Sequence, residues 1–373
     1  MDTKNVLLVL VCVPLACFIA GAGLPLQAAI NINLGRDVGH GLWSAFFSFA
    51  TGAVLLAFFA FPRLRLSNLR TFCKEVRAFP RMVVLFGGTL GSFYVACSVL
   101  LTPLIGFGVF YVCVVCGQVA TSLLVDSLGW FWSPVRPLTA MRALGGFVVV
   151  VGTVVFQLDR ILGASFEPLY ALYVVLALMA GCFLVLQSTW NRKVGHSLGS
   201  PWRGGFVSFV MGTLSLAIAS LCTGVVPDVS QSTQSVGDTW KWLGGAIGVC
   251  VVTVWIVCPT YISFAATFSL TILGQLAGSL LFDALLAPAF DLELDPVTTP
   301  RAVGFCLVFL GVCIFQFVHT RGERKQHQHN GESRQEPEQD TKKSVQLSVV
   351  TTHDDGHTVD EEQSDLKTPE IVA

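Results

Sequence analysis

Residues 82–125 read MVVLFGGTLGSFYVACSVLLTPLIGFGVFYVCVVCGQVATSLLV, 44 consecutive positions without Asp, Glu, Lys or Arg. A bilayer core of about 30 Å takes about 20 residues of helix at roughly 1.5 Å each. The stretch therefore holds two spans, with Pro103 near its middle where the chain can reverse. The same reading fits Trp242–Phe282, 41 uncharged residues around Pro259. Six further uncharged runs are Asn5–Gly35, Val38–Pro62, Ala143–Leu158, Pro168–Asn191, Gly204–Pro227 and Ala302–Thr320. In chain order the eight lengths are 31, 25, 44 and 16, then 24, 24, 41 and 19. Two spans in each long run give ten helices, five plus five. Lipid tolerates only helices or closed barrels, because every backbone polar group must be satisfied internally. These runs are too long and too uniformly apolar for barrel strands. The expected fold is an all-α polytopic membrane protein.

Composition agrees. The chain has 373 residues, 53% hydrophobic and 13% charged, with a formal net charge of −1. Soluble domains carry about 25% charged residues. Of the 47 charges (23 basic and 24 acidic), 19 lie in residues 320–373, which leaves 28 for the first 319 positions. That is too few to cover a water-soluble surface, which excludes a soluble enzyme, a nucleic-acid binder and a disulfide scaffold. The segment 320–373 is polar, cannot bury a core, and reads as a disordered cytoplasmic tail. Its His327-Gln328-His329 reads as solvated side chains. All twelve cysteines except Cys73 sit in apolar segments, where cysteine acts as a small hydrophobe. Cys113 and Cys116 form a CxxC with no second pair, so packing is the reading and no metal or cofactor is expected. Lys4, the apolar run from Val6 and small residues near Gly21 resemble a signal peptide. Because this segment has a counterpart in mid-chain, it is expected to remain as the first span.

Basic residues orient the spans. With the N-terminus inside, cytoplasmic segments hold Lys4, Arg63, Arg65, Arg70, Lys74, Arg77, Arg81, Arg136, Arg142, Arg192, Lys193, Arg203, Arg321, Arg324 and Lys325. The other side holds Arg36, Arg160, Lys241 and Arg301, so fifteen stand against four. Both termini are expected in the cytoplasm, and the plasma membrane is the expected location.

The halves match in residues as well as lengths. Gly21, Gln27 and Asn31 return as Gly181, Gln187 and Asn191, at a constant offset of 160. Ser48-Phe49-x-x-Gly52 returns as Ser208-Phe209-x-x-Gly212, and Gly87-Gly88-x-x-Gly91 as Gly244-Gly245-x-x-Gly248. Gly117-Gln118 with Asp126 returns as Gly274-Gln275 with Asp283. Pro137, Arg142, Gly152 and Gln157 return as Pro296, Arg301, Gly311 and Gln316. Five spans per half place the second half upside down relative to the first, and inverted repeats are the architecture of alternating-access carriers. The expected units are 1–160, 161–319 and the tail 320–373.

Three stretches carry a family resemblance: GAGLPLQAAININLGRDVGH (Gly21–His40) with SFATG, GGTLGSFYVACSVLLTP (Gly87–Pro103), and VVCGQVATSLLVDSLGWFWSPVRPLTAMRALGG (Val114–Gly146). They resemble the drug/metabolite transporter superfamily, specifically its YdcZ-type branch, over about Val6–Phe317. The resemblance implies a ten-helix carrier or exporter; substrates in the wider superfamily range over metabolites, cations, nucleotide sugars and drugs. Arg203 and LAPAFDLELDP depart from the usual pattern of the second half.

Polar residues within spans are costly and usually face a cavity or the bundle interior. Gln27 and Asn31 share a helical face, as do Gln187 and Asn191, Gln118 and Asp126, and Gln275 and Asp283. Helix–helix hydrogen bonding and substrate contact are the two roles open to the amides. Gln27 lies about 33 Å along its span at roughly 1.5 Å per residue, near the outer mouth. Inversion then places Gln275 and Asp283 outside, and Gln187, Asn191, Gln118 and Asp126 toward the cytoplasm, around a more apolar centre. Asp126 with Arg142, and Asp283 with Arg301, read either as ion pairs closing the two mouths or as interfacial anchors. No carboxylate falls at mid-span, which points to facilitative or exchange transport, or to coupling through Asp126 and Asp283 at the rims. The glycine motifs are small-xxx-small packing pairs. Trp130, Trp132, Trp240 and Trp242 read as interfacial anchors.

The expected function is a carrier or exporter of a small metabolite or drug-like molecule. Its expected partners are that substrate and the bilayer, with no nucleic acid; a homodimer and a cytosolic partner of the tail are both compatible. A receptor or scaffold acting through the tail is the competing class. A lipid-modifying enzyme is disfavoured, because His40 and His196 fall on opposite sides of the membrane. Purified protein ending before Thr320 should carry out the same liposome flux as the full chain. Flux lost with the tail, together with partner capture by the tail, would favour the scaffold.

Overall fold

The structure is a computed structural model that describes residues 8–61, 66–130, 133–163, 169–230, 236–281 and 298–314. The expected tail, together with Trp132, Asp283, Pro296 and Gln316, lies outside the described residues. Within them the chain is helical, with no strand. A π-helical turn, Leu8–Cys12, leads into α1 (Val13–Asp37). Then come α2 (Gly41–Ala60) and a short amphipathic helix, α3 (Leu66–Ala78). Phe72 of α3 packs on Phe61 and Phe206, while Arg70, Lys74 and Arg77 are exposed.

Helical backbone runs from Arg81 to Leu128 and includes Pro103. The path nevertheless folds back. Tyr94 and Phe110 have ring centroids 6.3 Å apart, whereas sixteen residues of straight helix would separate them by about 24 Å. The segment thus forms two arms, α4 (Val84–Ile105) and α5 (Val109–Leu128). After α6 (Ala140–Phe156) follow α7 (Tyr170–Ser197), α8 (Pro201–Leu221), α9 (Gly244–Val257), α10 (Phe264–Leu281) and α11 (Thr299–Ile314). Between α9 and α10 a 3-10 turn, Cys258–Thr260, reverses the chain at Pro259. The reversal lets Trp255 Nε1 donate to Thr271 Oγ1 at 3.3 Å. Eight of these helices are long and apolar enough to cross a membrane; α6 and α11 are apolar but shorter.

Local chemistry sets the ends. The α1–α2 and α7–α8 reversals pass through Gly39 and Gly199, at φ of +86° and +68°, where an L side chain would be strained. His40 then caps α2, its Nδ1 accepting from the backbone N–H of Leu42 at 3.1 Å. Thr139 does the same for α6, accepting from Arg142 N at 3.3 Å. Consequently α6 begins before the uncharged run and includes Arg142, just as α11 includes Arg301; both arginines are buried.

Packing joins early helices to late ones, at equivalent positions. Gly181 of α7 lies against the Val114 carbonyl of α5, and Gly117 against Leu178. Likewise Gly21 of α1 lies against Thr271 of α10, and Gly274 against Phe18. In the α2–α8 crossing, Phe49 covers Gly212 and Phe209 covers Gly52, with ring centroids 4.9 Å apart. The α6–α11 contact uses Gly152 against Val308 and Gly304 against Phe156. Missing side chains let helix backbones touch, which is how helices associate where lipid supplies no hydrophobic drive.

These contacts separate two glycine classes. Gly181→Ala forces a methyl into the Val114 carbonyl and should destabilise the protein by about 1–3 kcal/mol. Gly205→Ala meets only Leu56 at 3.5 Å and Ile256 at 3.9 Å. It should be neutral or stabilising by up to about 1 kcal/mol through helix propensity. Thermal melting of both purified variants checks the contrast.

Candidate functional site

At one end of the bundle a single carboxylate holds three elements together. Asp126, with none of its surface exposed, sits in the last turn of α5. Its Oδ2 accepts from Arg142 Nη2 at 2.5 Å and from Ala265 N at 3.0 Å, while Oδ1 accepts from Phe264 N at 3.1 Å. The first N–H groups of a helix have no partner within it, and the N-terminus carries partial positive charge. A carboxylate from another helix satisfies both demands of α10 at once. Arg142 Nη1 in turn donates to the carbonyls of Arg136 at 2.7 Å and Pro137 at 3.3 Å. Arg136 stands 4.0 Å from Asp126 and donates to the carbonyl of Ile262 at 3.3 Å, in the α9–α10 turn. Arg192 of α7 lies over the Phe264 ring, 5.4 Å from its centroid.

The other end is tied differently. Lys241, just before α9, donates to Asp37 at the end of α1 at 2.6 Å. Trp43 Nε1 donates to the Val225 carbonyl at 2.8 Å, and Trp242 packs edge-on against Phe47. Helix α9 separates these contacts from the Asp126 cluster, since Lys241 precedes it and Phe264 follows it. Arg301 lies over the Phe156 ring at 5.2 Å, and its expected partner Asp283 is outside the described residues.

Between the ends lie the buried amides. Asn191 and Gln187 of α7 donate to Ser208 Oγ of α8 at 3.0 and 3.3 Å, and Ser208 donates to the Gly87 carbonyl at 3.4 Å. Their side chains occupy the space left by Gly87 and Gly91 of α4. At the equivalent place Gln27 and Asn31 of α1 fill the space beside Gly248 and Gly244 of α9, with Ser48 adjacent. Asn31 Oδ1 is buried without a hydrogen-bond partner. Gln118 of α5 is 1% exposed, and both its amide oxygen and its amide nitrogen lack partners. In α10, Gln275 is 4% exposed with its oxygen unpartnered. Each orphaned group costs about 1–3 kcal/mol.

Two of the expected groupings come together in space: Asp126 with Arg142, and Gln187 with Asn191. Sequence reasoning missed Ser208 as the shared acceptor, and it missed Arg136, Arg192, and the Asp37–Lys241 and Trp43–Val225 links. The recurrence of Ser48 as Ser208 was a usable signal for the serine. Asp37 and Lys241 stand 204 residues apart, and no motif connects them. Among the described residues no cluster of three or more His, Cys, Asp or Glu could hold a metal.

The chain matches a family model described as "Putative inner membrane exporter, YdcZ", over residues 12–155 and again over 172–314. It belongs to this family, and is an integral multi-pass membrane protein of the exporter type. Comparison with curated proteins returns no match. A solved structure described only as "Crystal structure of protein" aligns with a TM-score of 0.57 at 16% identity. The alignment covers 84% of this chain and 98% of that one, and at that identity it speaks to the fold alone.

Asp126→Asn leaves the Arg142 guanidinium buried beside neutral acceptors only, and should cost about 3–5 kcal/mol. Adding Arg142→Gln removes the unpaired charge and should recover part of the loss. Melting of the purified single and double variants would contradict the account if the double variant were less stable by the sum of both single losses.

Proposed function

We propose that this member of the YdcZ-type family moves a small molecule across the membrane by alternating access between two inverted halves, 1–160 and 161–319. In this reading α1, α2, α4, α5 and α6 form one half, and α7 to α11 form the other. All ten cross the bilayer, with both termini in the cytoplasm. The observation that carries it is the Asp126 cluster, which reaches from the first half onto the α9–α10 turn of the second. Basic loop residues assign that end to the cytoplasm. Releasing three hydrogen bonds there frees the two halves to part, so Asp126 and Arg142 act as the cytoplasmic gate.

Asp37–Lys241 and Trp43–Val225 join the halves at the outer end, where Asp283 and Arg301 are proposed to supply the counterpart of the Asp126 pair. The recurrence of the glycine contacts supports an exchange of roles between the halves. Equivalent surfaces can slide to equivalent but opposite arrangements, which is what an inverted-repeat carrier requires. Gln27, Asn31, Gln187 and Asn191 flank the pathway and steady the helices that line it. With no carboxylate at mid-span, transport is facilitative or by exchange.

The test uses thiol labelling. In a cysteine-free background, Ser122→Cys stands one turn from both Gln118 and Asp126. Adding Asp126→Asn should raise its labelling by an impermeant reagent from the cytoplasmic side several-fold. Labelling that does not change would rule out the gate.

A further inference from the structure

We propose that Gln118 and Gln275 together form a binding site for an uncharged solute carrying adjacent hydrogen-bond donor and acceptor groups, such as an amide, urea or lactam. The proposal rests on the carrier reading and names the chemistry of its cargo. Three observations converge on it.

The first is depth. The contacts from Asp126 to Phe264 and Ala265 place the end of α5 beside the start of α10. The two helices run in opposite directions from there, with Val115, Val119, Ile272, Leu273 and Leu276 in one packed cluster. Gln118 is eight residues before Asp126, about 12 Å along the axis at roughly 1.5 Å per residue. Gln275 is eleven residues beyond Phe264, about 16.5 Å by the same rise. Their levels differ by about 4.5 Å, so the amides expected at opposite mouths stand near one depth.

The second observation is the missing partners. Buried polar side chains nearly always have a hydrogen-bond partner, and each exception needs a cause. Gln118 has neither donor nor acceptor satisfied, and Gln275 lacks a donor for its oxygen. Leucine would fill similar volume at no polar cost, yet glutamine stands at the equivalent position of both halves. A carboxamide offers an N–H₂ and a C=O side by side, and another amide is its complement.

The third is charge. Neither α5 before Asp126 nor α10 contains Asp, Glu, Lys or Arg. Asp126 already accepts from Arg142 and two backbone N–H groups. A charged solute between these helices would be desolvated without a counter-charge, whereas a neutral one satisfies the amides and packs on Val115, Val119, Ile272 and Leu273. The site selects for neutrality.

The test compares benzamide with benzoate and benzylammonium, which keep the ring and change the charge, and uses acetamide as a smaller amide. Each is added at equal concentration to the full chain in nanodiscs, and thermal unfolding is followed. At least one amide should raise the melting temperature by about 2 °C or more, and neither ion should. The protection should vanish in Gln118→Leu and in Gln275→Leu, both of which should melt no lower than the parent without ligand. If either leucine variant fails to fold, Gln118→Asn and Gln275→Asn serve instead and should weaken apparent binding at least tenfold. Protection by the ions equal to that by the amides would overturn the proposal, as would protection that survives the substitutions, or no protection by either amide. The Ser122→Cys labelling does not depend on cargo. If Asp126→Asn opens the cytoplasmic end while no amide binds, the site fails and the carrier reading stands; if labelling is unchanged, the Asp126 gate fails, whatever the amides do.

Discussion

The architecture depends on helix backbones that touch. Where Gly181 meets the Val114 carbonyl and Gly274 meets Phe18, no side chain intervenes, and the axes are drawn close enough for dispersion contacts along the whole crossing. Each of these contacts joins an early helix to a late one, and together they hold the two parts of the chain to each other. The buried serines and amides follow from this closeness, since Asn191 and Gln187 reach Ser208 only because Gly87 and Gly91 leave them room.

That arrangement also explains where the buried carboxylate of Asp126 does its work. The start of α10 is surrounded by protein, so its first N–H groups have no water to turn to. Asp126 supplies the acceptor and Arg142 neutralises the charge, a combination that holds only while both helices and the loop between α5 and α6 stay in register. A cluster of this kind is all-or-none. Losing one bond leaves a charge buried without its partner, which favours concerted release over gradual loosening.

The helices were legible in the sequence because lipid imposes a simple rule, and charge-free runs record it directly. The division of both long charge-free runs into two spans was legible too, although the first turns back between Ile105 and Val109, past Pro103, which hydropathy alone does not reveal. The pairing of Asp126 with Arg142 was readable from their shared location at one surface. The capture of Phe264 and Ala265 by the same carboxylate was not, because backbone donors leave no mark in a residue pattern. The level of Gln118 relative to Gln275 was not readable, since the register of α5 on α10 is fixed by contacts across the bundle. The Asp37–Lys241 link was invisible for a related reason: it has no counterpart in the repeat and joins the end of α1 to the segment before α9.

Helix α10 is almost wholly enclosed by protein. Every residue from Ile262 to Leu276 is buried, so this helix has almost no face for lipid. It contains Ser269, Gln275 and the threonines Thr267 and Thr271, and among the eight long apolar helices it has the lowest mean hydropathy. A segment of that kind gains little by entering a bilayer alone. It gains by entering a socket that α1, α5 and α9 have already built, and all three precede it in synthesis. Biogenesis of the protein is therefore ordered: α10 arrives after the helices that enclose it, and they act as its solvent.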